Sequence, residues 1–476
     1  MKIRTALLSA TVILLVHGCL PAQVQLPDTP AAHQLSAWLA AFNSGDRATI
    51  LTFLQKNFPA RAAEIDGEMG FREQTGGFDL KKAGDCAATK CSAILQERDS
   101  DQFARIVVDV DPAEPHVIKE VELRAIPRPA DFPITRVTEA EALKAFRAYL
   151  DQAAAAGRFS GAALVAKNGK PVFTAFYGMA DRDKKISNQL GTLFRIGSMN
   201  KMFTATAVLQ LVQAGKINLT DPLGKYLPDY PNKDVASKVT IHHLLTHTGG
   251  TGDFFGPEFD KHRLELRTLQ DYVKLYGERG LAFDPGSRWE YSNYGFLLLG
   301  LVVQKASGQD YYDYVREHIF KPAGMNSTDS LPEDQAVPGR AVGYTKSSDA
   351  SREWRPNVDT LPYRGTSAGG GYSTVEDLLA FAIALENHKL LDAKHLDLLT
   401  TGKVETPRGS KYAYGFGDEI SGDGVRCFGH GGGAPGMNGD LKICPQSGYV
   451  IAVLANIDPQ AAGHASDFIT MRLPKN

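Results

Sequence analysis

Five strand-like runs bracket a long helical stretch in this sequence. "FSGAALVAKNG" (159–169) and "KPVFTAFYGMA" (170–180) precede it; "GVRCFGH" (424–430), "NGDLKICP" (438–445) and "YVIAVLANI" (449–457) follow it. Each holds a short apolar run with β-branched or aromatic residues and has Gly, Asn or Pro near its ends. Between Thr240 and Leu379 the pattern is mostly helical. Strands at both ends of one segment imply a single antiparallel sheet built from the two termini, with the helical insertion on one side. The expected fold class is α+β.

A chain of 476 residues exceeds one small core, and two or three domains are expected. "AAHQLSAWLAAFNSGDRATILTFLQKNF" reads as two helices broken at "NSGD". From Gly77 to Ile126 short strands take over: "CSAILQE", "FARIVVDVD" and "HVIKEVELRAI". Residues 30–126 therefore form a small α+β accessory domain. Its helices-then-meander order resembles the cone-shaped domains of the nuclear transport factor 2-like family. It carries no catalytic constellation. "PRPADFP" opens a linker, 127–137, and residues 138–476 form the larger domain, entered by the helix "EAEALKAFRAYLDQAAAAG".

The N-terminus reads as a leader, residues 1–22. Lys2 and Arg4 precede "ALLSATVILLV", the size of a secretory h-region and short for a membrane span. Gly18 and Cys19 fit a bacterial lipobox, with lipid on Cys19; cleavage after Ala22 would instead release a soluble protein. Either way export is expected, to the periplasm, the outer face of a membrane or the medium. A net charge of −2 offers no basic field, which argues against a nucleic-acid partner. Of five cysteines, four lie beyond the leader region. Exported thiols tend to oxidise. Cys86 and Cys91 flank a tight turn, and Cys427 and Cys444 flank a Gly-rich one, so a cross-strand bridge is open in each place.

"GSMNKMF" places Ser198 three residues before Lys201, at the mouth of the long helix "MNKMFTATAVLQLVQAG". Serine is a preferred N-cap, and that reading is the ordinary one. As a nucleophile, Ser198 would sit near the positive helix end with Lys201 on the same face, and a buried lysine can act as a base.

Two other motifs point elsewhere and fail on context. "GTSAG" (365–369) and "HGGG" (430–433) match α/β-hydrolase signatures, but Ser367 lacks a buried strand before it and the order is reversed. "HHLLTH" spaces His243 and His247 one turn apart, yet it lacks the zincin glutamate and a third ligand. Packing or hydrogen bonding is the better reading of both histidines, and no metal is expected.

Three stretches taken together change the weight of Ser198: "SMNK" at 198, "YSN" at 291 and "HGG" at 430. A serine nucleophile needs a base, a proton shuttle and donors for the oxyanion. With "LLTHTGG", "PGSRWEYSNYGFLLLG", "SAGGGYSTVEDLLAF" and "YGFG", these motifs resemble the penicillin-recognising serine hydrolases: class C β-lactamases, D-alanyl-D-alanine carboxypeptidases and related esterases. The resemblance covers residues 138 to 476. It implies the β-lactamase/transpeptidase-like fold and an acyl-enzyme on Ser198, with Lys201 and Tyr291 as the base system and no cofactor. It also implies an oxyanion hole from the N–H groups of Ser198 and Gly433 beside Gly432. Asn293 would bind Lys201 or the acyl amide, and His430 would assist Tyr291 or the substrate.

One departure matters. Histidine stands at 430, where β-lactamases usually carry lysine, and a neutral imidazole is a poor partner for a substrate carboxylate. That favours an esterase or D-amino-acid peptidase over an efficient β-lactamase. The expected substrate is a small ester, peptide or β-lactam. The alternatives are a β-lactamase proper and a non-catalytic envelope protein that binds peptidoglycan fragments.

Overall fold

The structure is a computed structural model that describes residues 24–347, 351–407 and 409–475. The leader through Ala22, and Cys19 within it, lie outside the described residues.

Helices α1 (Pro30–Ser44) and α2 (Arg47–Asn57) part where "NSGD" breaks the pattern. Gly45 adopts φ 67° to end α1, and Asp46 caps α2 by accepting from the Thr49 N–H at 2.8 Å. A third helix, α3 (Ile65–Thr75), follows; two glycines and a mixed pattern hide it in the sequence. Strands β1 (Phe78–Cys86), β2 (Lys90–Glu97), β3 (Phe103–Val110) and β4 (Ile118–Ile126) then form an antiparallel meander in chain order. Leu95, Ile106 and Val108 bury against Leu35, Trp38 and Phe42 of α1. Cys86 and Cys91 face each other across β1 and β2 and are joined by a disulfide. This unit meets the rest of the chain at Asp101, which accepts from Arg128 at 3.1 Å and Arg472 at 2.6 Å.

Helix α4 (Glu139–Ala155) opens the larger part, started by a capping box between Thr138 and Glu141. Strands β5 (Gly161–Lys167) and β6 (Lys170–Tyr177) come next, then α5 (Asn200–Gln213), α6 (Ile241–Leu245), α7 (Asn293–Ser307) and α8 (Val375–Glu386). The chain closes with β7 (Val404–Glu405), β8 (Lys411–Tyr412), β9 (Gly417–Ile420), β10 (Arg426–Ala434), β11 (Met437–Cys444), β12 (Tyr449–Ala455) and α9 (Ala461–Thr470).

The sheet runs β7-β8-β9-β10-β11-β12-β5-β6, antiparallel throughout. The two termini meet at β12 and β5, where Leu164 pairs with Ala452. Ala162, Leu164, Ala452 and Leu454 face α5, α7 and α8; Ala163, Val165, Ile451 and Val453 face α4 and α9. Both faces are covered, so "YVIAVLA" is an unbroken apolar run rather than an alternating one. Each buried Leu, Ile or Val side chain contributes about 1.5–3 kcal/mol. Within the helical layer, Phe203 of α5 meets Phe381 of α8 edge-on at 4.8 Å, which fixes the helix that follows the candidate nucleophile.

Candidate active site

Ser198 sits in a single 3₁₀ turn, Gly197–Met199, that runs directly into α5. No side chain caps either helix start, so Ser198 is not the ordinary N-cap its position suggests. It is half-buried. Gly197 holds φ 53°, in the left-handed region that glycine tolerates.

Strand β10 presses its backbone against this turn. A Cβ at Gly432 would stand 2.0 Å from the Ile196 carbonyl oxygen and 3.0 Å from the Ser198 nitrogen. A Cβ at Gly197 would stand 3.1 Å from the Gly433 nitrogen. Only glycine permits that approach. It brings the amides of Ser198 and Gly433 to the same edge of the site. Asn438, opposite Gly433 on β11, donates its Nδ2 to the Gly432 carbonyl at 2.7 Å and holds the strand end in place.

Lys201 lies one turn into α5 and is wholly buried. Its Nζ is 3.2 Å from Ser198 Oγ and 2.7 Å from Asn293 Oδ1, and it also donates to the Ala368 carbonyl. It stands 4.7 Å from the centroid of the Tyr291 ring. Burial lowers its pKa to about 7, against the charge of Asp253, which raises it. Asn293 Oδ1 and the Ala368 carbonyl only accept, so two Nζ–H bonds point at them, and Ser198 Oγ is the third polar partner of Nζ.

Tyr291 and Asn293 come from the start of α7. Ser292 caps this helix by accepting from the Gly295 N–H at 2.9 Å. Burial holds the Tyr291 phenol well above its usual pKa, opposed by its interaction with the Ser198 side chain. Asn293 turns its oxygen to Lys201 and its Nδ2 to Asp253 Oδ2 at 2.8 Å. Its amide therefore serves the lysine in this structure.

His430, on β10, bonds Tyr412 rather than Tyr291. Nε2 lies 3.0 Å from the Tyr412 hydroxyl, and Nδ1 lies 2.5 Å from the Gly431 carbonyl. A carbonyl cannot donate, so Nδ1 carries the proton and Nε2 accepts. Burial and the nearby Lys201 lower the His430 pKa to about 4.

The two misleading motifs fall into place. Ser367 is fully buried and donates to the Leu297 carbonyl at 3.3 Å. "GTSAG" is a clasp on the start of α5: Asn200 donates to the Thr366 carbonyl at 2.6 Å and Thr204 to the Ser367 carbonyl at 2.7 Å. His243 closes a capping box with Thr240 on α6. His247 is buried behind Tyr291, its ring 4.3 Å away. Among the described residues no cluster suited to a metal ion is found.

Asp253 and Tyr412 were not marked by the sequence. Asp253 lies in "TGDFF", a loop with no motif, and Tyr412 in a two-residue strand; only the fold brings them to Asn293 and His430. Cys427 and Cys444 are joined across β10 and β11, the hairpin that carries Gly432 and Gly433.

The sheet from both termini, the helical layer and the Ser198–Lys201 turn define a β-lactamase-related serine hydrolase. The chain belongs to the Beta-lactamase family, whose model matches residues 146–474. PbpX, a candidate penicillin-binding protein of Bacillus subtilis (strain 168), is 33% identical over 305 residues, 64% of this chain and 72% of the relative. The crystal structure of a penicillin binding protein from Bacillus halodurans superposes with a TM-score of 0.61 at 33% identity, over 70% of this chain and 98% of that one. A D-stereospecific amidohydrolase from a Streptomyces species superposes with a TM-score of 0.58 at 28% identity, over 70% and 98%. The fold is thus the β-lactamase/transpeptidase fold, with residues 30–126 as an additional α+β region outside the family match.

Proposed function

We propose that the chain hydrolyses esters or amides through an acyl-enzyme on Ser198, and that its substrates are small esters and D-amino-acid amides or peptides. The observation that carries this reading is the wholly buried Lys201, whose Nζ lies 3.2 Å from Ser198 Oγ and is held there by Asn293 Oδ1 and the Ala368 carbonyl.

In this reading Ser198 Oγ bonds the substrate carbonyl carbon as its proton passes to Lys201 Nζ. The carbonyl electron pair moves to oxygen, which meets the N–H groups of Ser198 and Gly433. Collapse re-forms the carbonyl and breaks the bond to the leaving oxygen or nitrogen. That atom takes the proton by way of the Tyr291 hydroxyl. Water then attacks the acyl carbon, giving its proton to the same pair, and Ser198 leaves with a proton restored.

The substrate class rests on charge. His430 is neutral at pH 7, Lys201 is turned inward, and the Asp253 carboxylate stands behind Asn293. Such a site is a poor host for the carboxylate of a β-lactam or a free D-Ala terminus. The similarity to a D-stereospecific amidohydrolase supports D-configured amides. Export through the leader, with or without a lipid on Cys19, belongs to the same proposal. The two disulfides support it, since such bonds persist in oxidising compartments. The mass of the mature N-terminus tests it.

Steady-state assays on p-nitrophenyl esters, paired D- and L-amino-acid p-nitroanilides and nitrocefin test the substrate class. The expected pattern is turnover of esters, preference for the D-anilide, and at most one stoichiometric acylation by nitrocefin. Sustained nitrocefin turnover exceeding the ester rate would mean a β-lactamase. Full ester activity in Ser198→Ala would remove the acyl-enzyme.

A further inference from the structure

We propose that His247 is a positioning residue for Tyr291, acting as a fixed, neutral hydrogen-bond acceptor that clamps the chain on both sides of that tyrosine. The inference rests on the reading of Tyr291 as part of the proton path.

His247 occupies an unusual place. It lies just past α6 with φ 58°, in the left-handed region that a residue with a Cβ rarely enters. Its backbone carbonyl accepts from the Glu290 N–H at 2.9 Å. Its side-chain Nδ1 accepts from the Ser292 N–H at 3.1 Å. One residue therefore holds the amides immediately before and after Tyr291. Its ring also lies against the Tyr291 ring, with centroids 4.3 Å apart. Two backbone bonds and a ring contact leave Tyr291 little freedom to swing away from Ser198.

The chemistry of the ring agrees with an acceptor role. A backbone N–H can only donate, so Nδ1 bears the lone pair and the proton of the neutral ring is on Nε2. Nε2 is buried without a hydrogen-bond partner, among the rings of Trp289, Phe296 and Tyr412. That apolar wall disfavours a second proton, and burial together with Lys201 and His430 holds the pKa well below the usual histidine value. His247 is therefore no proton carrier. It passes nothing to Tyr291 and only fixes where the hydroxyl points.

The φ value and the acceptor position select the test. Asparagine tolerates the left-handed region and places Oδ1 where histidine places Nδ1. Glycine relieves the backbone but removes the acceptor. The rate of Ser198 labelling by a fluorophosphonate, and kcat and KM on a p-nitrophenyl ester, are compared for wild type, His247→Asn and His247→Gly, with thermal unfolding as the check on folding. The expected result is His247→Asn within about threefold of wild type and His247→Gly slower by about a hundredfold in labelling and kcat, at little change in KM. Equal labelling of His247→Gly and wild type, or an equal loss in both folded variants, overturns the proposal. If His247→Gly does not fold, ¹⁵N-histidine spectra of the wild type and the rate of His247→Asn decide. An unprotonated, accepting Nδ1 with an active asparagine variant supports the clamp; a proton on Nδ1, or a folded but inert asparagine variant, overturns it. A wild type that is not labelled at Ser198 removes the hydrolase reading instead, and the clamp falls with it.

Discussion

Gly432 lies so close to Ile196 that a methyl group on its Cα would stand 2.0 Å from the Ile196 carbonyl oxygen. The contact is backbone on backbone, so no rotamer change relieves it. Gly432→Ala is expected to push β10 away from the nucleophile turn and separate the amides of Ser198 and Gly433. Loss of one oxyanion donor lowers kcat by about 10²–10³. Ester kinetics on the folded variant check this; wild-type kcat would mean that the strand does not shape the oxyanion site.

In the proposed mechanism Lys201 sets the pH dependence. Its pKa is lowered to about 7 because burial disfavours the ammonium. Below that value Nζ is protonated and has no lone pair for Ser198; above it the amine is free. Acylation is expected to rise with pH through about 7 and then level. His430, lowered to about 4, adds no limb in that range. A pH profile of Ser198 labelling reads this directly, and a rising limb near the ordinary lysine value would contradict a buried neutral base.

Asp253 tunes the same limb. Its charge raises the Lys201 pKa, and its carboxylate accepts from Asn293 Nδ2 at 2.8 Å. Asp253→Asn keeps an acceptor and removes the charge. The limb should move to lower pH, with the plateau rate largely retained. A shift to higher pH would reverse the sign of the electrostatic argument.

The disulfide Cys427–Cys444 ties β10 to β11 across a sequence separation of 17. Replacing both cysteines by serine should lower stability by about 3 kcal/mol, the value for closing a loop of that size. Urea unfolding under non-reducing conditions measures it. No change in midpoint would mean that the hairpin is held by packing alone.

Much of this architecture could be read from residue patterns. "YVIAVLA" and "AALVA" are continuous apolar runs because helices cover both faces of β12 and β5, and that texture survives in sequence. Helix α3 was not legible: Gly67 and Gly70 interrupt its weak apolar face. Strands β7 and β8, each of two residues, are too short to carry a period. In the site, Ser198, Lys201, Tyr291, Asn293 and His430 stood in recognisable motifs, and the structure brings them together. Ser198 stands in the first turn leading into α5, where the sequence put it, and caps no helix; one contact differs from expectation, since His430 pairs with Tyr412, which no motif marks. Asp253 and Tyr412 owe their places to a loop and to a two-residue strand. Side chains that meet only through tertiary packing leave no local signal.

The most direct test is covalent. The enzyme is treated with a fluorophosphonate, digested, and mapped by mass spectrometry, beside Ser198→Ala and Lys201→Ala. One adduct per chain on the peptide containing Ser198 is predicted, absent in Ser198→Ala and formed far more slowly in Lys201→Ala. An adduct on Ser367 or elsewhere, or undiminished ester turnover without Ser198, would contradict the proposed mechanism.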